Sequence, residues 1–389
     1  MTNTSGVWEP FKREYKMSPF ENYKEMAQNG PLYKVNNSST MILSYKINEK
    51  LFKCKDVIAL SANQTMKKQC PSLCRIISNW VFTMSGQKHT KARIFLMEHW
   101  NLNQLKTSVE EFTFELFKNN RNKKFNFIKD YAEIVSTYTF LKYFCMNLNK
   151  AKEIISYVDE LKNVIEIFVS TKQYEKMEEA CLNFTKLIIK ELENGKSVFF
   201  NQLYDCLDDS NDREEVFVSI ILLLFNTSIY TSAAQLTLSL NAILNSTTQK
   251  NFIVNNYKKR SKSIVQELIR FDSPVQIISR IATKDIEICN KVIKKDSYIL
   301  LNIGAANRDP EQFHNPNILN LNRAYKPNLS FGIGPHHCLG ASLAKFSLNS
   351  FIETSSELLP NINLNKNSNL IWGNGIAIRS LKKYPIVIN

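Results

Sequence analysis

Apolar residues recur at three- and four-residue spacing along most of this chain, the pattern that lines one face of a helix. Segments 109–117, 127–144, 151–168, 174–192 and 213–244 all carry it. Residues 216–225 form the longest apolar run, broken at Ser219. Ten residues are far short of the about 20 that a membrane span needs, so the run predicts a buried helix and no membrane partner. Short stretches rich in β-branched and aromatic residues, at 33–35, 40–43, 276–281, 298–303 and 376–378, predict strands. The expected fold class is mainly α with small β-sheets. No linker, low-complexity block or fixed-period repeat interrupts the pattern. One domain over residues 1–389 is therefore expected. Residues 1–20 are polar and mixed in charge; without an apolar stretch there, no signal peptide is expected and the location expected is cytoplasmic.

Composition refines this picture in three ways. A hydrophobic content of 44% with only 10 Gly and 11 Pro suits one large core. The eight cysteines, at 54, 70, 74, 145, 181, 206, 289 and 338, are scattered as in a protein of reduced thiols. Cys70 and Cys74 have no second pair at zinc-finger spacing, which argues against a metal there. The net charge is +14. A basic face would attract an acidic electron donor or an acidic carrier protein. Of the 50 basic residues 39 are Lys, which equally fits drift in an AT-rich genome, and both readings stand. No long basic tract points to nucleic acid.

The candidate chemistry is concentrated in one loop, Phe331-Gly332-Ile333-Gly334-Pro335-His336-His337-Cys338-Leu339-Gly340. Its five fixed positions, F-x-x-G-x-H-x-C-x-G, would arise by chance in roughly one such sequence in 10^5. The loop resembles the heme-ligand loop of the cytochrome P450 family. The resemblance implies that Cys338 gives its thiolate to the iron of heme b (iron protoporphyrin IX) and pushes electron density onto it. Gly332 belongs to the same loop, and Gly334 and Gly340 would let backbone amides approach the sulfur. His336 would donate to a heme propionate, and Phe331 would cover the ring on the proximal side. A helix-compatible run, 339–351, follows at once, and its N-terminus would favour the sulfur's charge by about 0.3–2 kcal/mol.

Other motifs fall in the family's order. Glu267 and Arg270 form E-x-x-R, with both charges on one helix face; in the family this pair binds the segment ahead of the heme loop. By the same resemblance Arg280 reaches a propionate, Ile277 and Ile278 face the substrate, and the turn near Ile376 helps build the pocket. His89 and Arg93, four apart on a helix, would grip one propionate together. Ile293-Lys294-Lys295-Asp296 departs from the Pro and Gly that relatives often carry in that turn.

A larger departure lies in 224–232, Leu-Phe-Asn-Thr-Ser-Ile-Tyr-Thr-Ser. Oxygen-activating members carry an acid followed by Thr there. The favoured register makes Thr231 the alcohol, puts Tyr230 in the acid's place, and sets Thr227 and Ser228 at the small positions toward the substrate. A second register, with Ser228-Ile229 standing in, loses both groups. Neither supplies a carboxylate.

The resemblance implies a bacterial-type heme-thiolate monooxygenase with a cytochrome P450 fold. It would oxidise a specialised metabolite (polyketide, peptide or terpene-like), free or bound to a carrier protein. Electrons would come from a ferredoxin or flavodoxin partner, with NAD(P)H contributing only indirectly. The alternative is an atypical member that performs radical coupling, desaturation, or peroxide-driven or substrate-assisted oxidation. A third reading, a non-catalytic heme-bearing recruitment module, sits poorly with retention of Cys338.

Overall fold

The helix-period segments and the strand runs sort into different parts of the chain. The computed structural model describes residues 7–59, 64–84, 86–99, 103–120, 123–207, 211–365 and 368–389. Two compact units emerge: one holds Met1–Leu60, Ala234–Cys338 and Ser356–Asn389, the other Ser61–Ala233 and Leu339–Ser355.

The second unit is helical. Its helices include Gly86–His99, Lys106–Asn119, Glu133–Tyr143, Ala151–Leu161, Thr171–Glu193, Val198–Cys206 and Ala341–Ser355. At its centre Phe225 packs against Phe140, Phe144 and Phe184 with ring centroids 5.5, 5.2 and 5.4 Å away, in tilted and edge-on arrangements that aromatic quadrupoles favour. Thr171–Glu193 opens on a capping box made by Ser170 and Gln173, which satisfies two donors at the helix start. The helix expected over 151–168 stops earlier, at Leu161, and passes into the 3-10 turn Lys162–Ile165. There the Asn163 side chain donates to the Glu160 carbonyl, a local bond that competes with helix propagation. The helix expected over 127–144 begins instead with a π-helical turn, Ile128–Ala132.

Arg213–Leu244 is one unbroken helix of 32 residues. It contains an 18-residue window of mean hydropathy 1.8, so by length and composition it could cross a membrane, contrary to the inference from the ten-residue run. Since 83% of that window is buried in the protein, its apolarity is that of a core helix.

The first unit carries the sheets. Strand Tyr298–Asn302 runs parallel to Ser39–Ile42 and antiparallel to Ile277–Ala282. Leu32–Asn36 and Val57–Ala59 complete the two sides of this five-stranded sheet. Leu32, Ile42, Ala282, Ile299 and Leu301 bury one apolar surface with Leu51. Residues 376–378 do not form the expected strand. A single bridge joins Ile378 to Val275, while the Ala377 carbonyl takes the Gln276 amide at 2.8 Å. Arg379 holds this segment instead, through Asp272 at 2.9 Å and the carbonyls of Lys16 and Met17.

The small hairpin Ile286–Ile288 with Lys291–Ile293 turns through Cys289 and Asn290, at φ 50° and 58°. Both lie in the left-handed region that a type I′ turn requires, where Asn-Gly is the favoured pair. Asp296, in the departed turn, is also left-handed, at φ 64°. Replacing Cys289-Asn290 by Asn-Gly is expected to raise stability by about 1 kcal/mol, read as a higher urea midpoint at unchanged m-value.

Candidate functional site

The loop that carries Cys338 is pinned before it begins. Leu329 is buried beside Tyr45, Ile303 and Phe313, and its amide donates to the Asn307 side chain at 2.7 Å. The same Asn307 donates to the Ser330 hydroxyl at 2.8 Å, and that hydroxyl donates to the Ile269 carbonyl. Gly332 and Gly334 then take φ +60° and +79°. A Cβ on Gly334 would stand 3.3 Å from the Phe52 carbonyl oxygen, and one on Gly332 3.4 Å from the Phe52 ring. Conformation and space both ask for glycine here. A 3-10 turn, Gly334–His336, follows, and the Cys338 amide closes the loop onto the Phe331 carbonyl at 2.9 Å. Cys338 and His336 are exposed and Phe331 is half-buried. The Gly340 carbonyl accepts the Ala344 amide at 2.9 Å as the next helix starts.

The segment ahead of the loop is anchored to helix Thr247–Phe271. Arg270 donates to both Glu267 oxygens, at 2.7 and 2.8 Å. Its other nitrogen donates to the carbonyls of Asn307 and Pro316. Arg323 adds two 3.0 Å bonds to the same carboxylate, and the Asn320 amide a third. Glu267 and Arg270 are 4% and 3% exposed. Sequence reasoning missed Arg323. The one available signal was that it is the only arginine from 309 to 338.

Arg280 lies on strand Ile277–Ala282, paired to Ile299 on one side and Ala59 on the other. Its guanidinium donates to the neighbouring Ser279 carbonyl at 3.0 Å. Burial lowers its pKa to about 10. No carboxylate pairs with it among the described residues. The Cys338 loop leans on Phe52, and the same segment continues into Val57–Ala59 beside Arg280. A half-buried cation without a carboxylate is a group that favours an anion, and Cys338 presents its thiol on an exposed, fixed loop. These residues fit heme, whose propionate and iron supply the two complements.

The remaining expected residues have the following places. Ile277 is buried, and Ile278 packs into the sheet and loop cores. Successive strand residues point to opposite faces of the sheet. Ile376 is buried near the Gln276 backbone. His89 and Arg93 are half-buried on helix Gly86–His99. Burial, and then the Arg93 charge, lower the His89 pKa. Thr231 donates its hydroxyl to the Thr227 carbonyl, and Thr227 donates to that of Leu223. Tyr230 packs on the helical core with Lys162 Nζ 5.4 Å from its ring centre. No Asp or Glu occurs from 216 to 266. Cys338, Phe331, Gly332, His336, Glu267, Arg270, Arg280, Ile277, Ile278 and Ile376 thus belong to the sheet-bearing unit. Gly340, His89, Arg93, Thr227, Tyr230 and Thr231 belong to the helical one.

A family model described as Cytochrome P450 matches residues 261–355. The biotin biosynthesis cytochrome P450 of Bacillus subtilis (strain 168) is 43% identical over 100 residues, 26% of this chain and 25% of that protein. The polyketide biosynthesis cytochrome P450 PksS of the same strain is 36% identical over 127 residues, 32% of this chain and 31% of that one. The aligned stretches therefore span about a quarter to a third of these curated relatives. The crystal structure of P450BioI in complex with hexadec-9Z-enoic acid ligated acyl carrier protein superposes at a TM-score of 0.86, covering 96% of this chain and 99% of that one, at 21% identity.

Two variants separate the anchors. Glu267→Gln leaves two buried guanidiniums facing a neutral amide and is expected to cost about 3–5 kcal/mol, measured by urea unfolding. Arg280→Met removes a half-buried, uncompensated cation. It is expected to stabilise the heme-free protein by roughly 1 kcal/mol while speeding heme loss to apomyoglobin.

Proposed function

We propose that the chain is a member of the cytochrome P450 family, as its family-model match over residues 261–355 and its curated relatives support, and that residues 1–389 act as one heme-thiolate monooxygenase domain. The observation that carries this reading is the Cys338 loop, held closed at Phe331 with two left-handed glycines, in the same unit as the half-buried Arg280 cation. Cys338 would hold the iron of heme b, with Arg280, His89, Arg93 and His336 at the propionates. When bound, the heme supplies oxidation of an unactivated C–H bond with dioxygen and two electrons. The protein's own residues do the rest. Glu267, Arg270 and Arg323 keep the segment before the loop from moving, so the sulfur stays where the loop puts it. Phe331 shields the sulfur side from water. Thr231 can exchange its bond to the Thr227 carbonyl for one that passes a proton onward, and Tyr230 offers a neutral hydroxyl beside it. Thr227, Ile277 and Ile376 supply apolar contact for the substrate and exclude water.

The substrate is a specialised metabolite carrying a hydrocarbon chain or ring, with an acyl group on a carrier protein as its first candidate form. The relatives named for biotin and polyketide biosynthesis, and the neighbour crystallised with an acyl carrier protein, support this class. The charge of +14 favours docking of an acidic carrier and of a ferredoxin- or flavodoxin-type donor in the cytoplasm.

A second reading, radical coupling, desaturation or peroxide-driven oxidation, is favoured by the lack of any carboxylate from 216 to 266. A positioned acid or base typically contributes about 10^2–10^4 in rate, and this helix offers only hydroxyls. Turnover of hexadec-9-enoyl carrier protein with reduced ferredoxin and 18O-labelled dioxygen tests the first reading. One labelled oxygen in the product is expected; a new C=C or C–C bond without label contradicts it. Under the same reading Thr231→Ala is expected to divert electrons to hydrogen peroxide, measured as peroxide formed per electron pair, and Tyr230→Asp to raise oxygen-dependent turnover.

A further inference from the structure

One turn of the long helix, at the position where the acid is missing, is tied to the end of a neighbouring helix by charge. Asn226 and Tyr230 are four residues apart on Arg213–Leu244 and share a face. Both meet the point where Ala151–Leu161 breaks into the turn Lys162–Ile165. The Asn226 amide donates to the Leu161 carbonyl at 3.4 Å, and Lys162, the next residue, sets its ammonium 5.4 Å from the Tyr230 ring centre. Lys162 is itself held by Asp159. Glu133, the other carboxylate within charge reach, has its own partner in Lys129 at 2.9 Å. The Lys162 side chain is only 21% exposed, so its attraction to the ring is poorly screened. Asn226 is 4% exposed, and its Oδ1 has no donor among the described residues. A buried acceptor of this kind is where an ordered water belongs, here one helical turn from Tyr230.

We propose that Lys162 is a positioning residue for Tyr230. Fixed by Asp159 on one side, it clamps the phenol on the turn that Asn226 anchors, so that the Tyr230 ring and its hydroxyl keep one orientation. The inference rests on the reading of Tyr230 as the residue standing in the acid's place.

Two measurements test it. The first is a folding cycle with Lys162→Met, Tyr230→Leu and the double variant in urea. Non-additivity of about two- to fivefold in the unfolding constant is expected from a cation held against a ring; additive effects overturn the clamp. The second is the rate at which dissolved oxygen reoxidises the dithionite-reduced holoenzyme, with no substrate present. Lys162→Met and Tyr230→Phe are expected to change this rate by the same factor, the double variant no further, and Lys162→Arg to keep the parent rate. A Lys162→Met rate equal to the parent's overturns the positioning role, even if the folding cycle shows coupling. If the reduced carbon monoxide complex of the parent protein lacks a thiolate-type band, the heme-thiolate reading itself has failed, and the folding cycle alone then decides whether Lys162 holds Tyr230.

Discussion

A single buried carboxylate organises the sulfur-bearing part of this protein. Glu267 takes two bonds from Arg270, two from Arg323 and one from the Asn320 amide. These partners come from two stretches of chain: Arg270 from helix Thr247–Phe271, and Arg323 and Asn320 from the irregular segment between residues 306 and 330. That segment has little secondary structure to stiffen it. Its order therefore comes from charge-assisted bonds made out of water, which are stronger and shorter than neutral ones. Such a pair is costly to break because the remaining charges stay buried. The carboxylate converts a long loop into a fixed lead-in for Cys338.

The loop itself uses the opposite strategy. Gly332 and Gly334 are in backbone conformations closed to most residues, and both press against Phe52. Their left-handed φ values and the Cys338-to-Phe331 hydrogen bond leave the thiol exposed on a closed turn. A cation at Arg280, desolvated and without a carboxylate among the described residues, is the electrostatic counterpart. A stable fold tolerates such a group when an anion completes it, and a heme propionate is that anion in the function proposed above. The structure thus spends stability at Arg280 and recovers rigidity at Glu267.

Much of this was legible in the sequence for identifiable reasons. Helix 213–244 is predicted to the residue because its apolar positions continue without a breaker. The E-x-x-R pair and the cysteine loop are short motifs whose defining residues lie within a few positions of one another. What could not be read depends on long-range contacts. Arg323 reaches Glu267 across 56 residues, and no local pattern marks it. The stop at Leu161 arises from an Asn163 side chain competing for a carbonyl, against an apolar spacing that continues to 168. Residues 376–378 have strand composition, yet Arg379 is drawn to Asp272 and the segment keeps a single bridge.

The central claim is that Cys338 presents a thiolate to heme iron. The most direct measurement is the absorption spectrum of the reduced carbon monoxide complex of the purified, heme-loaded protein, recorded beside Cys338→Ser. A thiolate-type Soret band in the parent protein, lost in the variant, is the predicted result. An imidazole-type band in both would contradict the account and move the iron ligand away from this loop.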